Sequence, residues 1–238
     1  EPTSNYLGEG WSSLTIDQEL SITIENQLTM TTGLDYNVED AFCTDPECLI
    51  YLNDIDTTWY YHNAPYTLLD DVIANATNTD FNSYFSEKIK EPIGMQGLFI
   101  KVGYNNIFFS SARSMARFGI LNLNQGTWDG TPILTDTAYF NSMTNSSQDL
   151  NPSYGYLYWL NGKRSYRVPG SDIEFTGSLI PNAPADLYAG LGKNDQKLYM
   201  VPSLDLVVVR MGGASSEILL GPSGFDNELW GLINEIIQ

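Results

Sequence analysis

The stretch Trp59-Tyr60-Tyr61-His62-Asn63-Ala64-Pro65-Tyr66-Thr67-Leu68-Leu69-Asp70-Asp71-Val72-Ile73 decides how the chain is read. Aromatic residues and the triplet Tyr61-His62-Asn63 come first, and an apolar-periodic run follows. Pro65 suits a first helical turn, where the N–H it lacks would be unpaired anyway. Leu68, Leu69, Val72, Ile73 and Ala76 then recur at helical spacing, which predicts a buried helix. Tyr61 and Asn63 therefore stand at the mouth of a helix, a rigid place for a phenol and an amide. Taken alone, the triplet fits equally an aromatic loop whose rings pack and whose Asn caps the helix.

Upstream, Ser21 or Thr23 is placed to cap a short helix ending at Gly33, a residue free to adopt positive φ. Residues 35–58 are polar and turn-rich and read as a long surface excursion. They carry the only cysteines, Cys43 and Cys48, around a central Asp45-Pro46 turn. Such a turn could close a small disulfide loop or leave two free thiols; the disulfide, with an oxidising compartment, is the favoured reading. Downstream, Phe81, Tyr84, Phe85 and Ile89 mark a helix over residues 80–90, stopped by Glu91-Pro92. Ser110 or Ser111 opens another, with Met115, Phe118, Gly119 and Leu123 buried. Asp129-Gly130 reads as a hairpin turn, and Thr135-Asp136 starts a short helix through Met143.

The last third changes character. Tyr154 to Trp159 alternates aromatics, and Asn161-Gly162 signals a turn before Ser165-Tyr166-Arg167. Gln196–Val201 and Leu206–Met211 predict an antiparallel hairpin. Asp226–Ile236 predicts an amphipathic helix with Leu229, Trp230, Leu232, Ile233 and Ile236 on its apolar side. The layout is α+β: one domain over 1–238, with a mostly helical lobe over 23–150 and a sheet with its terminal helix over 151–238.

Composition narrows the function. With 42% hydrophobic and 13% aromatic residues the chain is globular. Eleven basic against 29 acidic residues leave a net charge of −18, which opposes nucleic-acid binding, and no basic stripe reverses it locally. No apolar run is long enough to span a membrane. Cys43, Cys48 and His62 supply one Cys or His ligand too few for a structural zinc site, so no metal is expected. Asn75-Ala76-Thr77 and Asn145-Ser146-Ser147 match the glycosylation pattern at the frequency chance allows.

Four motifs in order carry a resemblance: Ile22-Thr23-Ile24-Glu25-Asn26-Gln27-Leu28-Thr29-Met30-Thr31-Thr32-Gly33-Leu34, then Tyr61-His62-Asn63, then Glu91-Pro92-Ile93-Gly94-Met95, and finally Gly190-Leu191-Gly192-Lys193-Asn194-Asp195-Gln196. Over nearly the whole chain, the set resembles the serine hydrolases of class C β-lactamase and penicillin-binding-protein type. That group includes esterases, D-amino-acid peptidases and 6-aminohexanoate-oligomer hydrolases. The resemblance implies a β-lactamase/transpeptidase-like fold, an antiparallel sheet flanked by helices with an inserted helical lobe. It also implies acyl transfer without a cofactor, on a small ester or amide, in a secreted or periplasmic protein.

By resemblance, Tyr61 is the general acid/base and Asn63 orients substrate or lysine. A phenol with an ordinary pKa near 10 needs a neighbouring cation to accept a proton at neutral pH. In the family that cation is the lysine of a Ser-x-x-Lys helix, and no serine here has a lysine three residues on. The nucleophile is therefore expected on a companion N-terminal segment, with the first strands. The runner-up is an inactive relative that binds a peptide or cell-wall fragment. Gly190-Leu191-Gly192 takes the place of the family's Lys-Thr-Gly or His-x-Gly. Glycine at position 190 lacks the cation that would read a β-lactam carboxylate. The main-chain N–H of Lys193 is then a candidate oxyanion donor, and Gln196 matches some esterase and amide-hydrolase branches. The plainer reading has Gly190 and Gly192 only letting a strand start tightly. His62, at the variable middle position, reads as a packed or solvent-facing imidazole, since Gly-x-Ser-x-Gly is absent.

Overall fold

Side-chain caps start two of the first three helices in the computed structural model, which describes residues 1–215, 217 and 221–237. Residues 1–90 and 97–109 form one compact unit; residues 91–96 and those from 110 onward form the other. The first begins with α1 (Ser4–Leu7), α2 (Ile16–Ser21) and α3 (Ile24–Thr29). Thr15 with Gln18, and Thr23 with Asn26, close reciprocal capping boxes at the starts of α2 and α3. The helix expected to reach Gly33 stops at Thr29, because Met30 adopts a left-handed conformation and its N–H already turns back to the Asn26 carbonyl. Gly33 follows at φ 72°, where an added Cβ would fall on the main-chain carbonyl of Asn53.

The periodic run after Pro65 becomes two abutting helices, α4 (Asn63–Thr67) and α5 (Leu69–Thr77). Asp80 caps α6 (Phe81–Phe85), and a π-helical turn, Ser86–Lys90, completes it. A two-stranded sheet that the sequence reading did not anticipate, β1 (Gly97–Val102) and β2 (Asn105–Ser110), comes next. Phe99 and Phe108 pack edge-on and tilted among Phe81 and Phe85, while Leu98, Ile100, Val102, Ile107 and Phe109 are exposed. The unit's core is Trp11, Ile22, Leu34, Leu49, Ala64 and Leu68. Cys43 and Cys48 are joined as a disulfide, closing the small loop.

The second unit opens with α7 (Ala112–Leu123), capped by Ser111. The short strands β3 (Thr127–Trp128) and β4 (Thr131–Pro132) pair around Asp129-Gly130, and Asp136 caps α8 (Thr137–Met143). Then come β5 (Trp159–Leu160), the pair β6 (Ser165–Tyr166) and β7 (Phe175–Thr176), β8 (Tyr188–Leu191), β9 (Lys197–Val201), β10 (Leu206–Arg210) and α9 (Gly224–Ile236). The main sheet is antiparallel in the order β10-β9-β8-β5, so β10 has one partner strand among the described residues.

Every residue of β9 is buried, so both faces of this strand are covered. Leu198 and Met200 meet Met115 and Phe118 of α7. Lys197 and Tyr199, on the opposite face by the period of two, meet Asp226 and Trp230 of α9. Of the stretch 23–150, residues 23–90 and 97–109 lie in the first unit and residues 91–96 and 110–150 in the second. An added Cβ at Gly119 would meet Leu198 and Val207, which shows how closely α7 lies on the sheet. The buried side of α9 also differs from expectation. Asp226 and Trp230, four residues apart, are fully buried, whereas Leu232 and Ile236 are 60% and 81% exposed. Pairing of Asp226 with Lys197 sets the rotation of the helix, and residues 232 and 236 then fall off the packed face. No helix among the described residues is long and apolar enough to cross a membrane.

His62, the N-cap residue of α4, is 4% exposed, and neither ring nitrogen has a hydrogen-bond partner. Burial lowers its pKa from 6.5 to about 4, against an opposing pull from the Asp35 carboxylate.

Two stability predictions follow from these positions. Gly33→Ala meets both a left-handed φ and a main-chain oxygen, and should cost about 2–4 kcal/mol in urea unfolding. Gly8→Ala, at φ 83° but in open space, should cost about 1 kcal/mol or less. For His62, the folded pKa lies below the unfolded one, so its neutral form stabilises above pH 6.5 and that contribution is lost as pH falls toward 4. The full swing is about 3 kcal/mol. His62→Phe should flatten the stability profile between pH 6.5 and 4 by that amount, and an unchanged slope would refute the assignment.

Candidate active site

The segment from Trp59 to Tyr66 is irregular at its start, so its main chain depends on partners elsewhere in the first unit. Tyr60 N–H donates to the Met30 carbonyl at 3.2 Å, and Ala64 N–H to that of Ala41 at 3.2 Å. Gln27, fully buried, donates from Nε2 to the Pro65 carbonyl at 2.7 Å and accepts from Thr3 Oγ1 at 2.8 Å. These contacts connect the Ile22–Leu34 motif to the Tyr61 segment. The disulfide loop begins two residues after Ala41, so it braces the strand of chain that receives Ala64.

Tyr61 and Asn63 converge on a third group. Asn63 Nδ2 donates to Tyr66 Oη at 2.8 Å, and the Tyr61 hydroxyl is hydrogen-bonded to the same group. The two rings stand 6.0 Å apart at 61°. Tyr66 was missed by the sequence reading, although it lies three residues past Asn63 on the same helical face, which was a usable signal. Burial first, and then the Tyr66 hydroxyl, push the Tyr61 pKa well above 10. Burial also raises Tyr66, against its hydrogen bonds with Asn63 and Tyr61. Both phenols are therefore protonated at neutral pH, poised as donors rather than bases. His62, next to Tyr61 in the chain, is buried, and that burial keeps it neutral at neutral pH.

The remaining sequence-derived residues lie in the second unit. Gly190 is inside β8, opposite Leu198, not at the strand's start. A Cβ built there meets nothing within 4 Å, so packing does not demand glycine; the position leaves main chain open to approach. Gly192 N–H donates to the Gln196 carbonyl at 2.7 Å, closing the β8–β9 connection. Lys193–Asp195 forms a 3₁₀ turn between them. The Gln196 side chain is bonded to main chain. Its Nε2 donates to the Gly212 carbonyl at 2.5 Å and its Oε1 accepts Gly212 N–H at 3.0 Å, so it staples the turn to the chain after β10. Tyr61 and Asn63 thus belong to one unit, and Gly190, Gly192, Lys193 and Gln196 to the other. Among the described residues, no group of three or more His, Cys, Asp or Glu is placed to hold a metal ion.

Comparison with known proteins places this arrangement. No curated protein sequence matches the chain. Among solved structures, a Bacteroides dorei protein assigned as a beta-lactamase superposes with a TM-score of 0.68 at 16% identity, covering 100% of this chain and 77% of its own. A Bacillus anthracis protein assigned as a 6-aminohexanoate-dimer hydrolase gives 0.69 at 17% identity, over 100% of this chain and 65% of its own. A penicillin-binding-protein homologue from Caulobacter crescentus gives 0.66 at 12% identity, over 92% and 71%. The chain thus spans from about two thirds to three quarters of the length of these neighbours, which share its fold. The Beta-lactamase family profile matches residues 1–212, and the chain belongs to that family.

Proposed function

We propose that the chain is the larger, C-terminal part of a serine hydrolase that cleaves an ester or amide through an acyl-enzyme. The observation that carries this reading is the convergence of Tyr61 and Asn63 on Tyr66 at the mouth of α4, in a chain of the beta-lactamase family. In the proposed reaction a serine Oγ gives its proton to the lysine of the same segment and attacks the substrate carbonyl carbon, whose oxygen takes the negative charge. Main-chain N–H of Lys193 is one donor to that oxygen. Tyr61 delivers a proton to the departing alcohol or amine, Asn63 holds Tyr66 and substrate in register, and water then releases the acyl group.

The serine and its lysine would come from a companion N-terminal segment. Two features support one. β10 (Leu206-Val207-Val208-Val209-Arg210) is paired on one edge only among the described residues, and such an edge attracts another strand. Leu232 and Ile236 of α9 are exposed apolar side chains. The Cys43–Cys48 disulfide supports a secreted or periplasmic setting. Open main chain at Gly190 favours linear esters or amides over a β-lactam, whose carboxylate calls for a cation there. The rival reading is a binding protein without catalysis.

Intact mass and peptide sequencing of the purified natural protein decide between them. A segment bearing Ser-x-x-Lys, joined or separate, should accompany hydrolysis of p-nitrophenyl butyrate. Tyr61→Phe should then lower kcat by at least about 100-fold with the fold intact by circular dichroism. Absence of that segment from the natural protein, or a fully active Tyr61→Phe, would overturn the hydrolase reading.

A further inference from the structure

The turn that carries Lys193 is strained and tied to a buried charge. Asn194 and Asp195 sit at φ 57° and 56°, two successive non-glycine residues in the left-handed region. Neither side chain favours that backbone enough to hold it alone. Arg210 Nη1 donates to the Asn194 and Asp195 carbonyls at 3.2 and 3.0 Å, which holds one side of the turn.

Asp195 holds the other. Its Oδ2 accepts from Ser215 N–H at 2.9 Å and Ser215 Oγ at 2.7 Å; its Oδ1 accepts from Ser223 Oγ at 3.0 Å. The Lys197 ammonium stands 3.3 Å from the same Oδ1. Lys197 is completely buried, an unusual state for lysine that demands full pairing. It donates hydrogen bonds to Asp226 Oδ2 at 3.1 Å and to the Gly221 carbonyl at 2.8 Å, and Asp195 Oδ1 completes the pairing as an ion-pair partner. Its main chain is fixed opposite Leu191 in the β8–β9 ladder, so the side chain is a short strut from the sheet to the turn. Beyond it, Tyr199 Oη donates to Asp226 Oδ1 at 2.5 Å, at the far end of the network.

We infer that Lys197 and Asp195 are positioning residues, whose buried pairing fixes the Lys193–Asp195 turn and so aims the Lys193 N–H. The inference rests on the oxyanion role proposed above for that N–H. Neither residue touches the reacting atoms. The strut acts through main-chain geometry, so its loss degrades transition-state stabilisation more than substrate binding. Tyr199 joins the same buried network through its hydroxyl on Asp226 and stacks edge-on to Trp230, away from the turn, so it separates positioning from plain stability.

The test uses the protein together with its nucleophile segment and p-nitrophenyl butyrate as the probe, and follows the Lys193 amide by ¹H–¹⁵N correlation spectroscopy. Asp195→Asn brings the buried group from a net −1 to neutral and should fold; Lys197→Met is the harsher variant. Both should lower kcat about 10- to 100-fold with KM within about two-fold, and should move the Lys193 amide resonance. Tyr199→Phe should lower Tm while leaving kcat and that resonance in place. If Lys197→Met fails to fold, Asp195→Asn carries the result. A folded Asp195→Asn with unchanged kcat, or with reduced kcat and a stationary Lys193 resonance, would overturn the inference. Wild-type protein with no esterase activity would defeat the hydrolase reading instead; a Lys193 resonance unmoved in Asp195→Asn would then overturn the positioning claim by itself.

Discussion

The second unit depends on one buried cation. Taking an ammonium out of water costs several kcal/mol even after relaxation, and only close, complete pairing offsets that. Lys197 meets the requirement with two carboxylates and a carbonyl, and each partner lies on a different piece of chain. Asp195 belongs to the turn after β8, Gly221 to the approach to α9, and Asp226 to the first turn of α9 itself. Burial alone would raise the Asp195 pKa, but the Ser215 and Ser223 hydrogen bonds and the Lys197 charge outweigh it and hold the carboxyl at about 2. The carboxylate is therefore charged through the whole physiological range, and the network keeps its shape. Satisfying one lysine thus brings the sheet, a strained turn and the terminal helix into register.

The first unit solves a different problem. Its functional segment is irregular, so order comes from side chains and loops that complete its main-chain bonding. Asn26 Nδ2 and Thr31 Oγ1 both reach Asp56 Oδ1, at 2.9 and 2.7 Å, and fix the chain just before Tyr60. Gln27 reaches Pro65, and Ala41 receives Ala64. Polar groups are buried throughout this region, bonded to one another as well as to the backbone. Such a lattice has little freedom to repack, which suits residues that must present two phenols and an amide at fixed spacing.

Local chemistry was legible in the sequence wherever one side chain acts on its own neighbourhood. Thr23, Asp80, Ser111 and Asp136 start helices where a capping residue should. Asp129-Gly130 turns between paired strands, and the 197–201 and 206–210 runs form the expected hairpin. What could not be read depended on distant partners. Asp226 looks like a surface charge in an amphipathic helix until Lys197 is known to be buried opposite it, and the exposure of Leu232 and Ile236 follows from that pairing. The β1–β2 pair escaped notice because its apolar residues occupy both faces, which hides the alternation that marks a half-buried strand. Tyr66 carried no motif of its own; only the helix turn that stacks it over Asn63 reveals its part. Gly190 looked like a strand start and is mid-strand, since the ladder extends one residue past it.

The state of Tyr61 bears on which bond the proposed chemistry suits. Every influence on this phenol within its own unit raises its pKa. A lysine brought to about 4 Å would contribute roughly 4 kcal/mol at an effective dielectric near 20. That corresponds to about three pKa units. That pull opposes the rise that burial gives the phenol, and proton donation to the leaving group is the step that draws on its protonated form. Under the proposed mechanism the residue therefore works best as an acid at the collapse of the tetrahedral intermediate, with the serine proton taken by the lysine. Acid help matters least for a good alkoxide or phenoxide leaving group and most for an amine, which cannot depart as its anion. Under the proposed mechanism, a buried Tyr61 acting as the acid is thus better matched to a linear amide than to an activated ester, even though the ester is the more convenient probe.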